Sequence, residues 1–124
     1  MSRPRQAALA VAALRIAYGA ALAAVPARTT RAWLGEEAAR PAPTVALRAL
    51  GAREIAIHAG AIAAAASGAP VRPWLAASIG GDCSDIAATF ASGRALPERA
   101  PLKTLVVAGA SAAISAAVLA LLDS

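Results

Sequence analysis

Asp82 and Asp85 stand three residues apart in an otherwise apolar stretch. On a helix that spacing puts both carboxylates on one face, one turn apart. Glu54 and His58, four apart in another apolar stretch, are also one turn from each other. Arg15 and Arg53 lie among apolar residues as well, and Arg48 sits nearer the end of the stretch that holds Glu54. Residues of these types support three kinds of chemistry. Two neighbouring carboxylates repel when both ionise, so one holds a proton, and with His58 as relay they make a proton path. Alternatively, a guanidinium forks across carboxylates and closes an ion network that fixes helix register. We expect Arg15 to fork to Asp82 or Asp85. Finally, Glu54, His58, Asp82 and Asp85 offer four N/O ligands to a metal. The di-iron bundle pattern, however, needs Glu-x-x-His on two helices plus two further Glu, and this chain has a single His. No metal, cofactor or catalytic residue is expected.

Depth and face favour a designed cluster. Arg15, the Arg53/Glu54/His58 group and the Asp82/Asp85 pair each fall near the middle of a separate apolar segment. Charges at one level in neighbouring helices can pair, and an unpaired charge in the middle of a bilayer costs several kcal/mol. Ser78, Asp82, Asp85, Thr89 and Ser92 form one narrow helical stripe. Arg48, Gly51, Glu54 and His58 share a broader face, while Arg53 projects from another side. Arg15, Tyr18 and Gly19 share a face, as do Thr104, Ala108, Ser111 and Ser115. The candidate polar core is therefore Arg15, Tyr18, Arg48, Arg53, Glu54, His58, Asp82 and Asp85.

Four apolar segments carry these residues, at 6–25, 45–66, 74–91 and 104–122. Each has about the 20 residues that a helix needs to cross a bilayer core. Each segment is bounded by Pro, Gly or charge, and proline falls between the segments and never inside one, as helix boundaries require. The last segment holds no charge and is the strongest span; the other three need neighbours to shield their polar groups. The expected fold is all-α, a four-helix transmembrane bundle running up-down-up-down in a single domain.

Composition agrees. Of the 124 residues, 59% are hydrophobic and only 15% charged, against about 25% charged in ordinary soluble domains. Mean hydropathy is +0.61. Alanine fills roughly a third of the chain and aromatics 3%, so packing must come from close backbone approach, as in membrane helices. Gly19, Gly51, Gly60, Gly81 and Gly109 are the expected contact points, and Gly80-Gly81-Asp82 reads as close helix approach rather than a phosphate loop.

Other classes fit less well. The net charge of +5 does not signal nucleic-acid binding, because the arginines flank apolar runs instead of forming a basic patch with aromatics. They suit anionic lipid headgroups better. A secretory signal over 1–27 is broken by Arg15 in its apolar run. A soluble bundle would show a Lys/Glu-rich outer face that these segments lack. Cys83, the single cysteine, excludes an internal disulfide and points away from the Asp stripe, so packing is its expected role. Trp33 and Trp74, at segment edges, suit interfacial anchors. The loops at 26–44 and 92–103 carry Arg28, Arg31, Arg40, Arg94, Arg99 and Lys103, which places them in the cytoplasm by the positive-inside rule, with the chain a multi-pass plasma-membrane protein.

The pieces Arg15-x2-Tyr18-Gly19, Trp33-Leu34-Gly35, Arg48-Ala-Leu-Gly51-Ala-Arg53-Glu54-Ile55, Arg72-Pro73-Trp74 and Gly81-Asp82-x2-Asp85 resemble small four-helix membrane proteins of actinobacterial type, DoxX-like in layout. The resemblance implies the fold and the membrane location and no established activity. Three functions follow as expectations. The first is a non-enzymatic membrane protein with a structural ionic core that associates with itself or a membrane partner. The second is a small proton-coupled transporter or ion-conducting oligomer using the carboxylates. The third is a membrane redox or lipid-modifying subunit.

Overall fold

The computed structural model describes residues 1–123. They form five α-helices: α1 Arg3–Ala24, α2 Pro26–Leu34, α3 Pro41–Ser67, α4 Arg72–Ala91 and α5 Ala100–Asp123, with 3-10 turns at Gly35–Ala39 and Gly93–Ala95. The all-α expectation holds, but the connection at 26–44 is not a plain loop, since it folds into α2 and the first turn. Pro26 opens α2 where a missing N–H costs nothing. Pro26, Thr30 and Leu34 are its buried side, and Arg28 and Arg31 stay exposed. At 9 residues it is far too short to cross a membrane. The other helices start two to four residues before the expected positions for the same reason: Pro4, Pro41, Pro73 and Pro101 fit in first turns.

The four long helices alternate in direction. Arg5 near the start of α1 donates from Nη2 to the carbonyls of Ala64 and Ala65 in the last turn of α3, at 3.2 and 2.7 Å, and of Ala69 just beyond it, at 3.4 Å. A cation there satisfies orphan carbonyls and complements the helix dipole. Gly68, in the left-handed region at φ 78°, lets the chain leave α3. At α4, Arg72 forms an ion pair with Asp123 at the end of α5.

α1 packs along α3, and α4 along α5. Gly19 and Gly51 make the first contact possible. A Cβ on Gly19 would lie 2.7 Å from the carbonyl oxygen of Gly51 and 2.8 Å from Glu54 Cβ, and one on Gly51 would strike Gly19 O and lie 2.8 Å from Ala23 N. Gly60 lies under the Trp74 ring. Gly81 faces the Arg53 guanidinium, whereas Gly80 faces open space and Gly109 meets only its own helix's Leu105, so neither of these two serves close approach.

Two apolar clusters cap the bundle. Ala8, Ala12, Ala61, Ala64, Val71, Leu75 and Val118 fill one end. Leu22, Leu34, Ala38, Leu47 and Ala100 fill the other. Between them lies the polar level. Outside, Leu14, Val106, Val107 and Ile114 are exposed.

Two helices, Arg3–Ala24 and Ala100–Asp123, are long and apolar enough to cross a membrane. Only 22% and 17% of their apolar windows are buried inside the protein, unlike the core helix of a soluble domain. α3 and α4, with the charges of the polar level on them, do not reach that standard of apolarity, which leaves two of the four expected spans.

Candidate functional site

The polar level is built by three helices at matched heights. α1 contributes Arg15, α3 contributes Arg53, Glu54 and His58, and α4 contributes Ser78, Asp82 and Asp85. Above and below this level the inward positions of α1 and α3 are small or apolar, so the charged side chains pair with one another.

Arg15 is the centre. Its Nε lies 2.6 Å from Glu54 Oε2 and its Nη2 3.0 Å from Glu54 Oε1. The other edge donates to Asp82, from Nη1 to Oδ2 at 3.1 Å and from Nη2 to Oδ1 at 2.7 Å. One guanidinium thus forks to two carboxylates on two helices, using all three nitrogens. The expected fork from Arg15 to an aspartate is present at Asp82; Asp85 is held elsewhere. Side-chain exposures of 11% for Arg15, 3% for Glu54 and 4% for Asp82 show the two carboxylates to be buried and the guanidinium nearly so.

Arg53 takes Asp85. Nη1 lies 2.9 Å from Oδ1 and Nη2 2.7 Å from Oδ2. Nη2 also lies 3.4 Å from Glu54 Oε1, so Glu54 bridges the two arginines. The placement of Arg53 on a different face needs correcting. Its Cα does lie off the Glu54 face, but the long side chain turns back across the missing side chain of Gly81. This second pair is looser, with Arg53 33% and Asp85 28% exposed.

Asp82 and Asp85 therefore do not stand as a pair sharing one environment: each accepts both oxygens' worth of bonds from its own guanidinium. The relay from Glu54 to His58 is also absent as drawn from spacing. His58 Nδ1 lies 2.7 Å from the main-chain oxygen of Glu54 and 3.7 Å from its carboxylate. A carbonyl only accepts, so Nδ1 carries the proton of that bond. Nε2 meets Ser78 Oγ at 2.9 Å. His58 is fully buried and joins α3 to α4. Ser78, a member of the α4 stripe, is a partner that sequence reasoning left out of the core; its place one turn before Asp82 was the available signal.

Arg48 departs from the predicted set. It is exposed near the start of α3, about 120° around the helix from Glu54 and off the buried line of Leu47, Gly51, Glu54 and His58, and takes no part in the cluster. Cys83 is exposed and does no packing. Thr89 is satisfied within α4 by the carbonyl of Asp85 at 2.6 Å. On α5, Thr104, Ala108 and Ser115 face inward as the stripe predicted. Among the described residues, no three His, Cys, Asp or Glu side chains are grouped so as to hold a metal.

Two clefts flank the ion network. The larger, about 710 Å³, runs between α1, α2 and α5 and has Arg15, Glu54, Asp82 and Asp85 in its floor, with half-exposed Tyr18 on its wall. The smaller, about 630 Å³, lies between α3, α4 and the two 3-10 turns, with Arg53 and Asp85 exposed to it. Trp33, Leu50 and Asp85 line both. Trp33 Nε1 donates to the carbonyl of Ala100 at 3.3 Å, and Lys103 Nζ caps the carbonyl of Ala32. These bonds bring 26–44 and 92–103 together at one end. The indole of Trp33 thus packs between elements as well as standing at a segment edge.

Chemically, the carboxylates are clamped rather than poised, although Arg53 Nε is buried without a hydrogen-bond partner. The buried carboxylates are held by guanidinium groups, and the hydroxyl that does face a base, Ser78 Oγ at His58 Nε2, is buried and lines neither cleft. Compared with family models, curated proteins and solved structures, the chain finds no match.

Proposed function

We propose that the chain is an integral membrane protein whose four long helices all span, that its ionic level is structural, and that it acts by association rather than catalysis. One observation carries this reading: Arg15 spends every guanidinium nitrogen on Glu54 and Asp82, two carboxylates that are themselves almost fully buried. A proton carrier needs an acceptor free to change partners; this one is clamped. The spanning of α3 and α4 is supported by their lengths of 27 and 20 residues, about 40 and 30 Å of helix. Their mid-level charges turn inward, where neighbours shield them. The exposed apolar residues of α1 and α5 suit lipid contact or a membrane partner, including a second copy.

The test is to express the chain and wash the membranes with alkaline carbonate. Retention of the chain, with release only by detergent, is the expected result. Recovery in the soluble fraction without detergent would overturn the reading.

A second reading has its own observation. Asp85 is partly exposed and lines both clefts, as a carboxylate on a transmembrane path would. Proton flux in liposomes that vanishes in Asp85→Asn, with the variant folded, would establish it in place of the structural role.

A further inference from the structure

α1 and α5 are the two helices apolar enough to span, yet each leans on a different neighbour, α1 on α3 and α5 on α4. The gap left between them is the larger cleft. Leu14 and Ala17 form one wall and Val107 and Ala108 the other. Leu14 and Val107 are also exposed on the outside, so the gap opens sideways onto the apolar surface. Along α5 it runs from Lys103 to Ser111, about 12 Å of helix rise, which is most of one leaflet's ~15 Å of hydrocarbon. Its inner limit is the ion level, whose polar atoms are turned to one another.

The outer limit is basic. Lys103 is exposed, and its ammonium has donors beyond the one given to Ala32. Arg28 and Arg31 project from α2 next to it, and Arg99 precedes α5. Glu98, Glu36 and Glu37 are the acidic residues at this end, and Glu37 is paired with Arg40. An apolar slot of one-leaflet depth ending at a cation matches a single class of molecule. We propose that this cleft holds one acyl chain of an anionic phospholipid, with the phosphate at Lys103. The proposal rests on the membrane reading above. It goes beyond general attraction of arginines to the membrane surface by assigning a slot, a headgroup residue and a stoichiometry of one.

Trp33 lines the cleft and reports on it. In Trp74→Phe, Trp33 is the only tryptophan. This variant is reconstituted into phosphatidylcholine vesicles containing a minor fraction of either phosphatidylglycerol or phosphatidylcholine with brominated chains. The expected result is that the brominated phosphatidylglycerol quenches Trp33 at about five-fold lower mole fraction, the worth of one lysine at an anionic surface. Lys103→Gln should abolish that preference, and Ala108→Leu, which fills the slot, should weaken quenching by both lipids. Native mass spectrometry of the unaltered, delipidated chain titrated with each lipid repeats the comparison without Trp74→Phe; one retained phosphatidylglycerol is expected. Equal quenching by the two lipids, or a preference that survives Lys103→Gln, would overturn the proposal and leave the membrane reading intact. A chain that does not enter the vesicles at all would overturn both.

Discussion

Arg15 on α1 meets Glu54 on α3 through two nitrogens, Nε at 2.6 Å and Nη2 at 3.0 Å, and offers its opposite edge to Asp82 on α4. Three helices are thus joined at a single guanidinium. Orphaning a buried ion costs more than the pair contributes when complete. Asp82→Asn and Glu54→Gln should each lower the unfolding free energy by about 3–5 kcal/mol. Asp85→Asn should cost under about 1 kcal/mol, because that pair is partly solvated and screened. Denaturant unfolding in detergent micelles compares them; equal losses at Asp82 and Asp85 would contradict the asymmetry.

The two buried serines should respond with opposite signs. Ser78 Oγ is the partner of His58 Nε2, and Ser78→Ala leaves a buried ring nitrogen unbonded at a cost of about 1–3 kcal/mol. Ser115 Oγ is buried without a hydrogen-bond partner. Ser115→Ala removes that unpaired group and should leave stability unchanged or raise it by up to about 1 kcal/mol. Melting temperatures of the two variants, taken side by side, decide.

Glycines of the same type should also divide. Gly51→Ala puts a methyl group against the backbone of α1, and overpacking of this kind costs about 1–3 kcal/mol. Gly80→Ala faces open space in mid-helix and should stabilise by up to about 1 kcal/mol through helix propensity. Thermal unfolding in the same detergent reads both.

Removing the Arg5 side chain frees three carbonyls at the far end of α3. Arg5→Ala should cost about 1 kcal/mol. The loss should be local: amide exchange rises in the last two turns of α3, while amides around Glu54 keep their protection. Uniform loss of protection along α3 would show that the contact does more than cap the helix.

Much of the site was legible because membrane-like segments contain so few polar residues that their depth and face stand out. Arg15, Glu54, His58, Asp82 and Asp85 share a level in the sequence and share one in the structure. Partner choice was less legible, because it depends on side-chain reach. Arg53 starts about 100° around the helix from Glu54 and returns over Gly81, where a Cβ would crowd its guanidinium at 3.3 Å. Arg48 lies about 120° around the helix from Glu54 and stays exposed. α2 escaped for a different reason: Thr29 and Thr30 read as loop residues, but their hydroxyls bond back to carbonyls one turn earlier, Thr29 to Val25 at 2.9 Å and Thr30 to Pro26 at 2.8 Å, and its buried side rests on the ends of longer helices. The spacing of Gly19 and Gly51 suggested close approach but not which helix each would meet; the packing of α1 on α3 supplied that.

The pairing of α1 with α3 and of α4 with α5 divides the chain at Gly68 into two hairpins. Arg15, Arg53 and Glu54 belong to the first, and Asp82 and Asp85 to the second. The first hairpin therefore brings a surplus positive charge to its inner face and the second brings two negative ones. On the proposed membrane reading, each half is a poor resident of the bilayer by itself and the natural complement of the other. Two separately expressed fragments, cut at the 68–71 turn, should find each other in the bilayer, and two whole chains should be able to trade halves.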